Sequence, residues 1–339
     1  MAKTFKQGER IEMTLDSTDR KLLNLVQTEF PLQLRPYREL GQKLGIDGDD
    51  IMQRIEQLRA KGIVRQIGPV LDARRLGYQT TLVAMRVSAS QLDKAAQLIR
   101  EHPGVSHGYQ RDHCFNLWLT LAIPATADME TELKRLAGPV NAEAIFALPA
   151  LKLFKLSAYF AMTGNGEKAV DTTAPPGGTL PQQVELSPTD RLVINELQQD
   201  LSLIPEPFAA MTAQLGMDEE KFLACCRSLL QRGIMRRFSA SINHRKAGFS
   251  ANAMACWIAP SDKIDTAGRM LAAQREVSHC YERKTNPWWR YNLFAMMHGR
   301  SREICQALAH RASCETGLKD YVLLYSTREL KKTRVKYAI

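Results

Sequence analysis

Residues 105–121 read VSHGYQRDHCFNLWLTL, and residues 277–297 read VSHCYERKTNPWWRYNLFAMM. Both copies open with Val-Ser-His-x-Tyr-x-Arg and close on an aromatic residue followed by Asn-Leu-aromatic, so the second is the first with four residues inserted before Tyr291. Side chains of an extended chain alternate between two faces. That alternation puts His107, Tyr109, Arg111 and His113 on one face, and His279, Tyr281 and Arg283 on another. A proton donor, a hydroxyl and a fixed cation in one row suit an anionic ligand that must be held and protonated.

The duplication extends over most of the chain. LDSTDR at 15–20 aligns with LSPTDR at 186–191, a shift of 171 residues, and the same shift matches Pro36 to Pro207, Gly62 to Gly233 and Gly77 to Gly248. In the first copy Ser17 or Thr18 is placed to cap a helix at 18–28, Pro36 starts another at 36–44, and Gly45-Ile46-Asp47 turns into a third at 49–60. A short hairpin is expected at 63–71, which makes this part a winged helix-turn-helix. Strand, helix, two strands, helix and strand then follow to about residue 157, the ferredoxin-like βαββαβ order. The second copy repeats this, with strands near 251–258, 276–283, 290–298 and 319–326. The expected fold is α+β: winged helix-turn-helix units at 15–78 and 186–249, ferredoxin-like domains at 79–161 and 250–339, and a Pro/Gly-bearing linker at 162–185 that lets the repeats pair as a pseudo-dimer.

A formal net charge of +10 over 339 residues calls for a polyanionic partner, either nucleic acid or a polycarboxylate. The seven cysteines are scattered without a C-x-x-C pair, which argues against a disulfide framework or a zinc site. No apolar run reaches the roughly 18 residues of a spanning helix and the N-terminus is polar, so the expectation is a cytoplasmic protein with no membrane partner. No P-loop, G-x-S-x-G or dinucleotide fingerprint appears.

The doubled motif resembles the siroheme decarboxylases, relatives of the Lrp/AsnC transcription regulators, over about residues 15–160 and 186–339. In that family two homologous subunits pair, and this chain is similar to two of them fused, with further homo-oligomerisation open. The resemblance implies a carbon–carbon lyase that removes two acetate carboxyl groups from siroheme to give didecarboxysiroheme, on a route to haem or a haem-like group. It implies no required cofactor: the iron belongs to the substrate, and the conjugated macrocycle accepts the electrons left by CO2. The alternative is a ligand-responsive Lrp/AsnC-type regulator. Against DNA stands the start of each recognition helix, Asp47-Gly48-Asp49-Asp50 and Met217-Asp218-Glu219-Glu220, where carboxylates would meet phosphates.

Under the enzyme reading, His107, His113 and His279 are the candidate acids, with Tyr109 and Tyr281 as donors or positioning groups. His107 or His279 is equally suited to ligate the substrate's iron, the protein itself holding no metal. Arg65, Arg236 and Arg237 of the wings, with Arg111, Arg283 and Arg290, are candidates for the carboxylates. Trp288 is the candidate to cover the macrocycle. Lys152, Lys155, Arg328 and Lys331 read as strand-edge charges, and His102, His244, His298 and His310 as structural.

Overall fold

The computed structural model describes residues 15–156, 180–243 and 251–339; most of the expected linker, and His244, lie outside them. In the first repeat α1 (Ser17–Thr28), α2 (Pro36–Leu44) and α3 (Gly48–Ala60) form the helix-turn-helix. Asp16, rather than Ser17 or Thr18, caps α1 by accepting the Asp19 N–H, and Asp47 caps α3. The single strand β1 (Val64–Leu71) follows, then β2 (Tyr78–Arg86), α4 (Leu92–Glu101), β3 (Val105–Arg111), β4 (Leu117–Pro124), α5 (Met129–Ala137) and β5 (Ala144–Leu156). The second repeat gives α6 (Pro188–Leu197), α7 (Ala209–Leu215), α8 (Glu219–Gln231), β6 (Met235–Ile242), β7 (Ala251–Trp257), α9 (Ile264–Ala273), β8 (Val277–Arg283), β9 (Leu293–Gly299), α10 (Arg302–Thr316) and β10 (Tyr321–Lys332).

The expected wing hairpin does not form. Instead β1 pairs antiparallel with β6 of the other repeat, Gly68 facing Ser239 and Pro69 facing Phe238. The resulting two-stranded ribbon is shared between the repeats. Its apolar face, including Val64, Ile67, Phe238 and Ile242, joins Leu22, Tyr37, Ile55, Phe208 and Phe222 in one core with both helix-turn-helix units. Its other face is polar.

Each ferredoxin-like unit has the strand order expected of that fold, β5-β2-β4-β3 and β10-β7-β9-β8. The edge strands then pair between repeats, β5 with β8 and β10 with β3, closing one eight-stranded barrel without free edges. Helices α4 and α5 cover one half and α9 and α10 the other, each over its own apolar layer. A further apolar group, including Trp118, Trp289, Phe146 and Phe294, fills the barrel interior.

Candidate active site

Strand parity decides what faces into the barrel. On β4, Leu117, Leu119 and Leu121 pack beneath the helices whereas Trp118 lies in the interior. His107 stands opposite Thr120 and Tyr109 opposite Trp118, so both point inward. Between them Gly108 faces α4 so closely that a Cβ there would meet Ile99 at 2.6 Å. On β8, His279 stands opposite Met296 and Tyr281 opposite Phe294, again inward, while Cys280 belongs to the helix-side layer. His298 shares the inward parity of Phe294 and Met296 on β9.

These residues meet the polar face of the ribbon at one end of the barrel. Lys332 pairs across from His107 on β10. Arg65 reaches from β1 to donate to the Lys332 carbonyl at 3.1 Å and the Glu329 carboxylate at 2.7 Å. His107, His279 and Tyr281 are surrounded by protein yet keep some solvent-accessible surface, which describes the lining of a recess rather than packed core.

The recess is cationic. Burial, then the charges of Lys332 and Arg65, pushes His107 down to about 4. Burial, then His298, His107, Lys332 and Arg237, pushes His279 down to about 3, and His298 reaches about 3 from burial with Lys332 and Arg111. All three imidazoles are therefore neutral near pH 7 in the free protein. The charge of His107 is felt at His279, in keeping with the two copies of the motif facing one another inside the barrel.

A hydrogen-bonded chain runs through one of the copies. A β-bulge between Val277 and His279 brings the Ser278 hydroxyl 2.7 Å from His279 Nδ1 and 2.7 Å from His298 Nε2. A hydroxyl has one proton and two lone pairs, so Ser278 can donate to one imidazole while accepting from the other. In the first copy Ser106 contacts His107 Nδ1 at 2.9 Å, but the position matching His298 is Ala122.

Against family models, residues 19–65 and 190–236 match the siroheme decarboxylase NirDL-like helix-turn-helix domain, and residues 75–155 and 246–331 match the AsnC-like ligand-binding domain. A siroheme decarboxylase of Hydrogenobacter thermophilus is 39% identical over 319 residues, 94% of either chain. The chain belongs to the siroheme decarboxylase family. The crystal structure of the siroheme decarboxylase NirDL in complex with an iron-uroporphyrin III analogue aligns with a TM-score of 0.69 at 35% identity, covering 95% of this chain and 94% of that one. The siroheme decarboxylase beta subunit of Methanosarcina barkeri matches at 41% identity over 97% of its length but 44% of this chain, as a single repeat would.

The remaining sequence candidates are placed unevenly for a siroheme decarboxylase site. His113 does not join the other histidines, because β3 ends at Arg111 and His113 lies six residues past His107, roughly 20 Å along an extended chain. There its Nδ1 accepts the Phe115 N–H at 3.1 Å and its ring lies edge-on to Trp289 at 5.4 Å. Trp289, 3% exposed, plugs that end of the barrel against Trp118, leaving Trp288 58% exposed. Arg290 is exposed in the same loop, over the Tyr291 ring. Trp288 and Arg290 thus stand apart from the histidine recess.

Arg111 and Arg283 are inward but committed. They donate to the carbonyls of Leu324 and Leu148, equivalent positions of β10 and β5, and lie over the rings of Tyr109 and Tyr281. Arg236 is paired with Asp72 at 2.7 Å, whereas Arg237 makes no ion pair among the described residues. Lys152, Lys155, Arg328 and Lys331 bond to Asp265, Gln274, Asp93 and His102, tying strands to helices and their ends rather than lining the recess.

Sequence reasoning missed His298, Lys332 and Arg334. His298 carried a readable signal, the inward parity it shares with Phe294 and Met296. The other two lie beyond the expected end of the last strand.

Elsewhere, a surface groove of about 620 Å³ between α2 and α8 is lined by Arg35, Arg38, Glu39, Glu206, Glu219 and Glu220. Its mixed charge does not suit a polyanion. Among the described residues no helix is long and apolar enough to cross a membrane.

Proposed function

We propose that this chain decarboxylates siroheme in the recess between the ribbon and the barrel, converting two acetate arms to methyl groups. The observation that carries the reading is the convergence of His107 and His279 with Arg65, Arg237 and Lys332 in one cationic recess. For each arm, the bond between the methylene carbon and the carboxylate breaks, CO2 leaves, and the electron pair is spread over the macrocycle. A proton delivered to that carbon completes the methyl group, so the step is redox-neutral and needs no added cofactor. Cations hold the arms that do not react.

The two histidines are suited to different parts of this. His107 faces Lys332 across the strand pair and feels Arg65, an environment for an anchored anion. His279 faces Leu156 and is joined through Ser278 to His298, an environment for proton supply and resupply. A carboxylate brought beside these neutral imidazoles raises their affinity for a proton, so binding itself charges the acid. The acidic N-terminal turns of α3 and α8, with Asp49, Asp50, Glu219 and Glu220, disfavour the regulator reading.

The decisive experiment is anaerobic incubation of the purified chain with siroheme, followed by mass spectrometry of the extracted pigment. Loss of two CO2 supports the proposal, and unchanged siroheme sinks it. His279→Gln should retain pigment binding and lose turnover by about a hundredfold or more. Undiminished turnover in that variant would remove His279 from proton delivery.

A further inference from the structure

Resting on that reading, we infer that the segment following β10 supplies a substrate-binding arm: Arg334, with Arg237, forms a subsite for one carboxylate of the polyanionic substrate. Residues 333–339 run as a strap from the barrel across the ribbon to the helices. The Thr333 N–H donates to the Ser106 carbonyl at 2.8 Å, immediately beside His107. Further on, the Tyr337 N–H donates to Gln198 Oε1 at 2.6 Å, and the Tyr337 ring meets Tyr78 edge-on at 4.9 Å. The strap is thus tied at both ends, and Arg334 is held between the ties.

The arginine is placed for something other than holding the strap. Its Nη2 donates to the Ser239 carbonyl of the ribbon at 2.8 Å, while its Nη1 is buried without a hydrogen-bond partner. A guanidinium does not shed its proton to escape such a site, so the unsatisfied N–H carries a desolvation penalty. Arg237, on the same strand two residues before Ser239, adds a second guanidinium whose charge reaches Arg334. Neither makes an ion pair among the described residues; the acid whose charge is felt at Arg334, Asp200, is already bound to Arg59 and to the Ile67 N–H.

Two half-buried cations without an ion pair, one of them with a buried and unfilled donor, make a site that an anion completes. The strap that carries Arg334 leaves the barrel at Lys332 and Thr333, paired with His107 and Ser106, which puts that site at the histidine end of the barrel. The room for Arg334 depends on Gly68 of β1: a Cβ there would lie 2.8 Å from Nη1.

The test compares the full-length parent with Arg334→Ala and Gly68→Ala. Binding of iron uroporphyrin is followed by its Soret absorbance, and thermal stabilisation by citrate gives a readout independent of any tetrapyrrole. Losing one charge-assisted contact should weaken iron uroporphyrin binding by about ten- to a hundredfold. Citrate should stabilise the parent and fail to stabilise Arg334→Ala. Gly68→Ala, which keeps the charge but displaces the side chain, should reproduce the binding loss, and Arg334→Lys should restore part of it. If citrate and iron uroporphyrin act equally on the parent and on Arg334→Ala, the subsite is refuted. If citrate discriminates between them but the parent leaves siroheme unchanged, the anion subsite stands and the decarboxylase reading falls.

Discussion

Acidification from about pH 7 to about pH 5.5 is expected to destabilise the ligand-free protein through three buried imidazoles. In the unfolded chain a histidine titrates near 6.5. In the fold, burial holds His107 down to about 4 and His279 and His298 down to about 3. Between those limits the unfolded chain binds protons that the folded chain refuses, so stability falls as pH falls. The contribution is complete above about pH 6.5 and is lost progressively down to the folded-state values. Over this interval one such imidazole costs roughly 1.3 kcal/mol, and three acting independently roughly 4 kcal/mol. His279 and His298 share Ser278, so their titrations are coupled and the sum is an upper bound. Urea unfolding followed by tryptophan fluorescence at the two pH values measures the effect. The reference is a variant carrying His107→Gln, His279→Gln and His298→Gln, in which the acid sensitivity from carboxylates is retained and cancels in the comparison. Bound iron uroporphyrin should flatten the parent's pH dependence by raising the imidazole pKa values. A triple variant as acid-sensitive as the parent would refute the reasoning.

Asp72 is 4% exposed and holds Arg236 together with the N–H groups of Arg74 and Arg75; Asp72→Asn leaves that guanidinium unpaired. Calorimetry should show a loss of about 3 kcal/mol, the low end for a broken buried pair because the Arg236 side chain keeps 26% exposure. Trp289→Ala removes the plug against Trp118 and should cost about 3–5 kcal/mol, read as a fall in thermal midpoint; an unchanged midpoint would mean that the interior collapses to fill the space.

The repeat, the order of elements and the inward row His107-Tyr109-Arg111 were legible because each is encoded locally, in a constant shift or a period of two. Barrel closure was not. The pairings of β5 with β8 and of β10 with β3 join strands more than a hundred residues apart, and no local pattern names the partner. The wing was misread for the same reason: an alternating segment such as 63–71 reads alike whether it folds on itself or pairs with its copy, and only the shared core beneath the ribbon selects the second. His113 was lost at a strand end, the least determined feature of a period-two pattern. The Ser278 bridge depends on a bulge, an extra residue that parity counting cannot foresee.

Fusion of the two copies explains why a nearly symmetric scaffold carries an asymmetric recess. Two identical chains paired about a dyad must present every residue twice, whereas one chain holding both copies is free to differ between them. The scaffold has kept its symmetry: Arg111 and Arg283 bond the equivalent carbonyls of Leu324 and Leu148, and the motif tyrosines keep their places beneath them. The recess has not. Gln66 stands where the second copy has Arg237, Ala122 where it has His298, and Leu156 where it has Lys332. Each departure puts the extra charge or proton carrier in the second copy. Yet Lys332 crosses into the first half by pairing opposite His107, while Arg237 and His298 act on His279. Divergence has therefore set cations against both motif histidines but linked only His279, through Ser278, to a second imidazole. Under the proposed reaction, that asymmetry lets one histidine deliver protons while the cations shared by both halves hold the carboxylates that do not react.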